Sequence, residues 1–229
     1  MSSDSNELIE KLSRDLKPIR PLPRAGVRAG VLTVSTLTLA FLVLVITREL
    51  RPDLAASLHR PVYLIQGFAM LAAGVLAGFA TFRLSVPDTK IRLPVVAALA
   101  VSSGIWLILI GSELLQSEWT MPERSETCLV GLTLAMAVPL VIGVVMVMHS
   151  APVWRGWAGY ALLLSVGSLA ALAMRFICPN DSPAHLLVWH FLPVLILSLI
   201  GVPLGKILLK EKWSMRTTAD HVRSHENHR

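Results

Sequence analysis

Six apolar stretches, each about 20 residues long, constrain the fold of this chain more than any other feature. They are Val27–Ile46, Val62–Phe82, Leu93–Ile110, Cys128–Met148, Gly156–Phe176 and Leu186–Leu209. A lipid hydrocarbon core about 30 Å thick requires roughly 20 apolar residues per helix. Helices of a soluble protein would have polar faces, which the central turns of these stretches lack. Because 54% of the residues are hydrophobic and 16% are charged, we predict an all-α, polytopic membrane protein with a six-transmembrane-helix bundle.

Lysine and arginine in the connecting segments predict the orientation of this bundle. If the chain crosses the membrane six times, sixteen of these residues lie on the side of both termini and five on the other side. Cytoplasmic segments carry an excess of basic residues, so we expect both termini in the cytoplasm. The net charge of +6 then reflects topology. No basic patch interleaved with aromatic residues outside the membrane predicts direct binding of nucleic acid.

Three regions follow from this pattern: a cytoplasmic head (1–24), a transmembrane domain (25–210) and a polar cytoplasmic tail (211–229) that we expect to be disordered. Acidic residues precede the first stretch, so we expect a retained span and not a cleaved signal peptide. The second external loop is predicted to begin after Ile110 and to contain Glu113. The motifs GVLAG (74–78) and GVPLG (201–205) predict close helix contacts.

The head contains a predicted amphipathic helix of about ten residues. Its apolar side chains lie on one helical face: Leu8, Ile9, Leu12 and Leu16. Pro18 ends this helix, and the proline-rich stretch after it is typical of a stiff spacer. So short a helix is marginal in water. Its apolar face should therefore contact the membrane surface, the protein's own cytoplasmic loops or a groove on a soluble partner.

The two cysteines lie at matching positions, Cys128 at the start of the fourth stretch and Cys178 just after the fifth. Each is some 25 residues from the turn near 151–155. At 1.5 Å per residue, two antiparallel neighbours would carry both sulfurs to the same depth, near the outer surface of the membrane. The sequence leaves several roles open: a structural disulfide, buried thiols, or sensing of metal ions or oxidants.

Cys178 opens a polar motif, CPNDSPAHLLVWH, at residues 178–190. Asp181, His185 and His190 add further metal-ligating groups. Each also has a structural interpretation: Asp181 suits a turn or a helix cap, and His190 lies about one turn inside the sixth stretch, where ionisable groups face the bundle interior. Being five residues apart, His185 and His190 are not expected to share a helix face.

Four motifs together resemble the NrsF family of six-span membrane anti-sigma factors. They are ELIEKLSRDLKPIRPL in the head, RPDL at 51–54, FRLSVP at 82–87 and CPNDSPAHLLVWH. The resemblance extends from about residue 7 to residue 210. It implies a protein of the bacterial cell inner membrane that holds an extracytoplasmic-function sigma factor away from RNA polymerase.

The resemblance also implies roles for individual residues. The segment Leu8 to Pro23, with its apolar face, matches the sigma-binding region of the family. Cys128 and Cys178 match a cysteine pair associated with sensing heavy metals or oxidants. We therefore expect a two-state bundle, in which a metal ion or a disulfide at these cysteines changes helix packing and the presentation of the head.

Apart from such a metal ion or disulfide, no cofactor is expected, and Asp181, His185 and His190 are possible auxiliary ligands. A small-molecule or ion transporter is an alternative function, although the span centres lack the paired ionisable groups usual in substrate pathways. A membrane thiol oxidoreductase is a further alternative, but its usual CxxC pair is missing. We expect no enzyme, because the sequence shows no catalytic constellation.

Overall fold

The computed structural model describes residues 22–47, 50–86, 93–115, 126–150 and 152–209, together with Glu7 and Glu10. Within these ranges the chain is helical and has no strand. Six of its helices are long and apolar enough to cross a membrane, which confirms the predicted spans. The predicted head helix and its residues Leu8, Ile9, Leu12 and Leu16 lie outside the described residues, as does the tail 211–229.

The helices follow the apolar stretches closely. In chain order they are α1 (Ala25–Thr47), α2 (Leu54–Ser57), α3 (Pro61–Leu84), α4 (Leu93–Leu115), α5 (Glu126–Met148), α6 (Arg155–Ile177), α7 (Pro183–His185) and α8 (Leu192–Leu208). The sixth span is composite, because a π-helical segment (Leu186–Phe191) joins α7 to α8. The sequence did not predict this segment or the short helix α2.

Helix α6 forms the centre of the bundle. Its most apolar stretch is 83% buried, against at most 39% in the other spans. It packs against α1, α3, α5 and α8, while α4 packs against α3 and the π-helical segment. The outer helices expose large apolar side chains such as Phe41 and Phe68. Exposed apolar surface of this kind suits contact with lipid chains and not with water.

Small residues bring three helices into close contact, as their spacing predicted. Gly201 and Gly205 of α8 lie against Gly159 of α6, and a Cβ atom on Gly159 would lie 2.9 Å from Gly205 Cα. On the other side of α6, Ser165 Oγ donates a hydrogen bond of 2.7 Å to the carbonyl of Gly74 in α3. Backbone atoms can approach so closely only where side chains are absent or small. These contacts therefore fix α6 against both neighbours.

Helix α4 ends later than predicted. It continues past Ile110 to Leu115, so Glu113 belongs to a helix and not to the external loop. Glu113 is buried and accepts a hydrogen bond from the side-chain amide of Gln66 in α3. A buried carboxyl group is costly unless it is hydrogen-bonded. The Gln66 amide offsets that cost and lets the helix continue.

Candidate functional site

Four metal-ligating side chains meet at one end of the bundle: Cys128, Cys178, His185 and His190. Their ligand atoms all lie within 4.8 Å of one another. The Sγ atoms of the two cysteines are 3.4 Å apart, and Cys178 Sγ lies 3.3 Å from His185 Nε2. The relative exposures are 8%, 5%, 2% and 0% in chain order, so all four groups are shielded from solvent.

The two cysteines meet because α5 and α6 are antiparallel neighbours. Cys128 lies in the first turn of α5, and Cys178 is the residue that follows the last turn of α6. Their matching distances from the turn near 151–155 place both sulfurs at one level, as expected. At 3.4 Å the sulfurs are hydrogen-bonded and are not joined in a disulfide.

The two histidines share one side of the sixth span, so the prediction that they would not is wrong. It assumed α-helical geometry, in which residues four apart face the same way. The segment Leu186–Phe191 is π-helical, and a π-helix bonds residues five apart. The rings of His185 and His190 consequently lie beside each other, with centroids 5.3 Å apart.

Asp181, the remaining predicted ligand, lies in a separate ion-pair cluster. Its carboxylate accepts hydrogen bonds of 2.8 Å and 3.0 Å from Arg51 and one of 2.9 Å from Arg175. Arg60 adds a longer contact of 3.5 Å. Arg51 also binds Asp53, with two bonds of 2.8 Å. The structure therefore does not bring Asp181 into the group of four.

This ion-pair cluster holds together the chain segments at this end of the bundle. Arg51 precedes α2, and its backbone N–H also donates to the carbonyl of Phe176 at the end of α6. The hydrogen bonds that Arg51 donates to Asp53 and Asp181 raise the pKa of Arg51, and the bonds from Arg51 keep the pKa of the Asp53 carboxyl well below its usual range. The sequence analysis counted Arg51 and Arg175 only as charges that indicate orientation, and it missed their pairing with Asp181.

Cys128 Sγ donates a hydrogen bond to Cys178 Sγ. That bond to Cys128, and then burial, raise the pKa of the Cys178 thiol well above its usual range. A thiolate in this place needs a compensating positive charge. The site is thus suited to protonated thiols or to thiolates that coordinate a cation.

A second polar contact, which the sequence analysis did not identify, lies at the opposite end of the bundle. The guanidinium of Arg28, near the start of α1, donates hydrogen bonds to the carbonyl of Met146 and to Ser150 Oγ, at and just after the end of α5. It also lies over the ring of Phe82, 4.4 Å from the ring centroid. Helix α5 therefore carries Cys128 at one end and contacts Arg28 at the other.

Comparison with known proteins gives concordant matches. A family profile described as "NrsF: Negative regulator of sigma F" matches residues 12–213. A "Probable anti-sigma-F factor NrsF" of Azospira oryzae is 33% identical over 181 residues, which cover 75% of this chain and 83% of the relative. An "Anti-sigma-F factor NrsF" of Caulobacter vibrioides is 26% identical over 215 residues, covering 90% and 99%. No solved structure matches the chain significantly. With most of its length matched, this chain belongs to the NrsF family.

Proposed function

We propose that this protein is a membrane-bound anti-sigma factor, a regulator and not an enzyme. It sits in the bacterial inner membrane with both termini in the cytoplasm. Its head sequesters an extracytoplasmic-function sigma factor, and an envelope signal, a metal ion or an oxidant, releases that sigma factor. Family membership and the names of two relatives support the anti-sigma role. The observation that carries the sensory role is the buried thiol pair, Cys128 and Cys178, 3.4 Å apart.

Helix α5 offers a physical connection between the thiols and the head. It begins next to Cys128, and its last turn contacts Arg28. Arg28 follows the proline-rich spacer of the head by only a few residues. A change in position of the α5 start would therefore move the anchoring point of the spacer. Helix α5 is also freer to move than α6, because its most apolar stretch is 28% buried against 83%.

Partner binding by the head can be tested by co-purification. The full-length protein in detergent should retain an extracytoplasmic-function sigma factor of its host. The double change Leu12→Glu and Leu16→Glu would bury two charges in the partner's groove, so we expect binding to weaken by more than about 100-fold. Arg14→Glu changes the formal charge by the same amount on the opposite helical face and should bind normally. If the double variant binds like the wild type, the head does not bind sigma.

Sensing can be tested in the same complex. Cadmium ions or a thiol oxidant should release sigma from the wild-type protein. The variant with Cys128→Ser and Cys178→Ser should bind sigma equally well and should not release it. Release from this variant would assign the signal to another part of the chain.

A further inference from the structure

Two pairs of donor atoms have nearly the spacing of a tetrahedral metal site. With Zn–S bonds of about 2.3 Å and Zn–N bonds of about 2.0–2.1 Å, tetrahedral coordination places two sulfurs about 3.8 Å apart and a sulfur about 3.5 Å from a nitrogen. The structure gives 3.4 Å for Cys128 Sγ to Cys178 Sγ and 3.3 Å for Cys178 Sγ to His185 Nε2. An ion would need to spread these two pairs by only a few tenths of an ångström and to draw in the more distant donors of the group, whose atoms all lie within 4.8 Å of one another.

The histidines provide independent support. His190 is fully buried, and neither of its ring nitrogens has a hydrogen-bond partner of normal geometry in the described part of the chain. The same holds for Nδ1 of His185. A buried nitrogen without a partner is destabilising, because it has lost its hydrogen bonds to water. Coordination of an ion would satisfy one nitrogen of His190, whereas His185 would bind through Nε2, the nitrogen that lies 3.3 Å from Cys178 Sγ.

Charge balance favours a divalent ion. Two thiolates and two neutral imidazoles carry two negative charges, so a divalent ion makes the site neutral. Neutrality matters here because the side chains are at most 8% exposed, and a net charge at this depth would be expensive. A monovalent or trivalent ion would leave the buried site charged.

The donor types select the class of metal. Two sulfurs and two nitrogens in a tetrahedral arrangement suit zinc and related thiophilic ions, whereas calcium and magnesium require oxygen ligands. Asp181, the carboxylate that the sequence offered as an oxygen ligand, is engaged by Arg51 and Arg175. The ion-pair cluster thus keeps a hard ligand out of the site.

We propose that Cys128, Cys178, His185 and His190 together bind one thiophilic divalent ion of the zinc and cadmium class. This inference rests on the proposed sensory role of the cysteines and extends it, because it assigns half of the ligands to the histidines of the π-helical segment. On binding, both thiols lose their protons to solvent and both sulfurs form bonds to the ion. Two protons are therefore released for each divalent ion bound, and no oxidant or reductant takes part.

The test uses full-length protein in detergent, reduced and then stripped of metal with a chelator. Titration with Cd²⁺ should give near-ultraviolet absorption from sulfur-to-metal charge transfer, which saturates at one ion per chain with release of two protons. X-ray absorption of the zinc-loaded protein should show two sulfurs at about 2.3 Å and two nitrogens at about 2.0–2.1 Å. A shell without sulfur, or one with sulfur but no nitrogen, would overturn the assignment, and this measurement needs no variant.

Variants then identify the ligands. His185→Gln and His190→Gln should each weaken Cd²⁺ binding by more than about tenfold, since loss of a partner outside the ligand shell alone costs 10–100-fold. His149→Gln is the matched control, because His149 is exposed and lies just after α5, at the opposite end of the bundle. Equal affinities for all three variants would leave a site of two thiolates and refute the role of the histidines.

The metal site and the anti-sigma role are tested independently, because the metal titration contains no sigma factor. If the ion binds as described and no sigma factor is retained, the anti-sigma proposal fails and the site stands. If an oxidant releases sigma while Cd²⁺ does not bind, the metal site is wrong and the redox form of the proposed function stands.

Discussion

The contact between α6 and α8 allows a quantitative prediction for Gly159→Ala. The added Cβ would lie 2.9 Å from Gly205 Cα and closer still to the carbonyl oxygen of Gly201, whereas ordinary contact begins at 3.4 Å. These are backbone atoms and cannot rotate away, so the helices must separate by at least about 0.5 Å. A gap of 0.5–1 Å forfeits a quarter to a half of the dispersion energy at each contact.

Overpacking of this kind typically costs about 1–3 kcal/mol. The higher helix propensity of alanine returns at most about 1 kcal/mol. After subtraction of that return, we expect Gly159→Ala to lower the free energy of unfolding by up to about 2 kcal/mol, which corresponds to a fall in Tm of up to roughly 8 °C for a chain of this size. Thermal unfolding in detergent, followed by loss of the monodisperse peak in size-exclusion chromatography, measures this shift.

Gly104→Ala is the matched control. Gly104 lies in α4, and a Cβ atom there would have no neighbour within 4 Å. Only the higher helix propensity of alanine acts at this position, so the Tm of Gly104→Ala should equal that of the wild type or be slightly higher. If Gly159→Ala also melts at or above the wild-type temperature, α6 and α8 do not touch through their backbones and the packing argument is refuted.

Two further predictions concern the polar contacts at the two ends. Asp181→Asn removes the charge that pairs with the buried Arg51, so we expect the free energy of unfolding to fall by about 2–4 kcal/mol. This is below the 3–5 kcal/mol of a fully buried pair, because the Asp181 side chain is 20% exposed. Thermal unfolding should show a smaller loss for Asp53→Asn, whose side chain is more exposed, and equal effects would contradict the argument. Arg28→Gln should leave sigma binding intact but weaken the metal- or oxidant-induced release by about fivefold or more. The exposed Arg24→Gln is its control, and a normal response of Arg28→Gln would exclude α5 as the connection.

The six spans could be predicted from the sequence alone, because the length of an apolar stretch is a local property of the chain. The matching depth of Cys128 and Cys178 was also predictable, since it depends only on residue counts from a shared turn. The site beyond these two cysteines depended on tertiary contacts. Neither the engagement of Asp181 by arginines nor the extension of α4 through Glu113 has a signal in local spacing, because each depends on a partner from another helix.

The histidine pair shows a different limit. Its geometry was derived from α-helical periodicity, which is the correct default for an apolar span. The π-helical segment replaces that periodicity locally, and such segments are rare and often occur at functional sites. An interval of five between two ligand-type residues is therefore a usable indicator of this geometry when a third and a fourth ligand lie nearby in the fold.

The wide turn at Leu186–Phe191 acts as a one-residue insertion within the sixth span. In a regular helix each residue advances the chain by about 100° and 1.5 Å, so the insertion sets the rotation between His185, which precedes it, and the glycines of α8, which follow it. The contacts of His185 and His190 and those of Gly201 and Gly205 can form at the same time only while this turn stays π-helical. Relaxation to ordinary helix would turn one of the two surfaces by about a quarter of a revolution relative to the other, so the geometry at the two ends of this span is linked through a single turn.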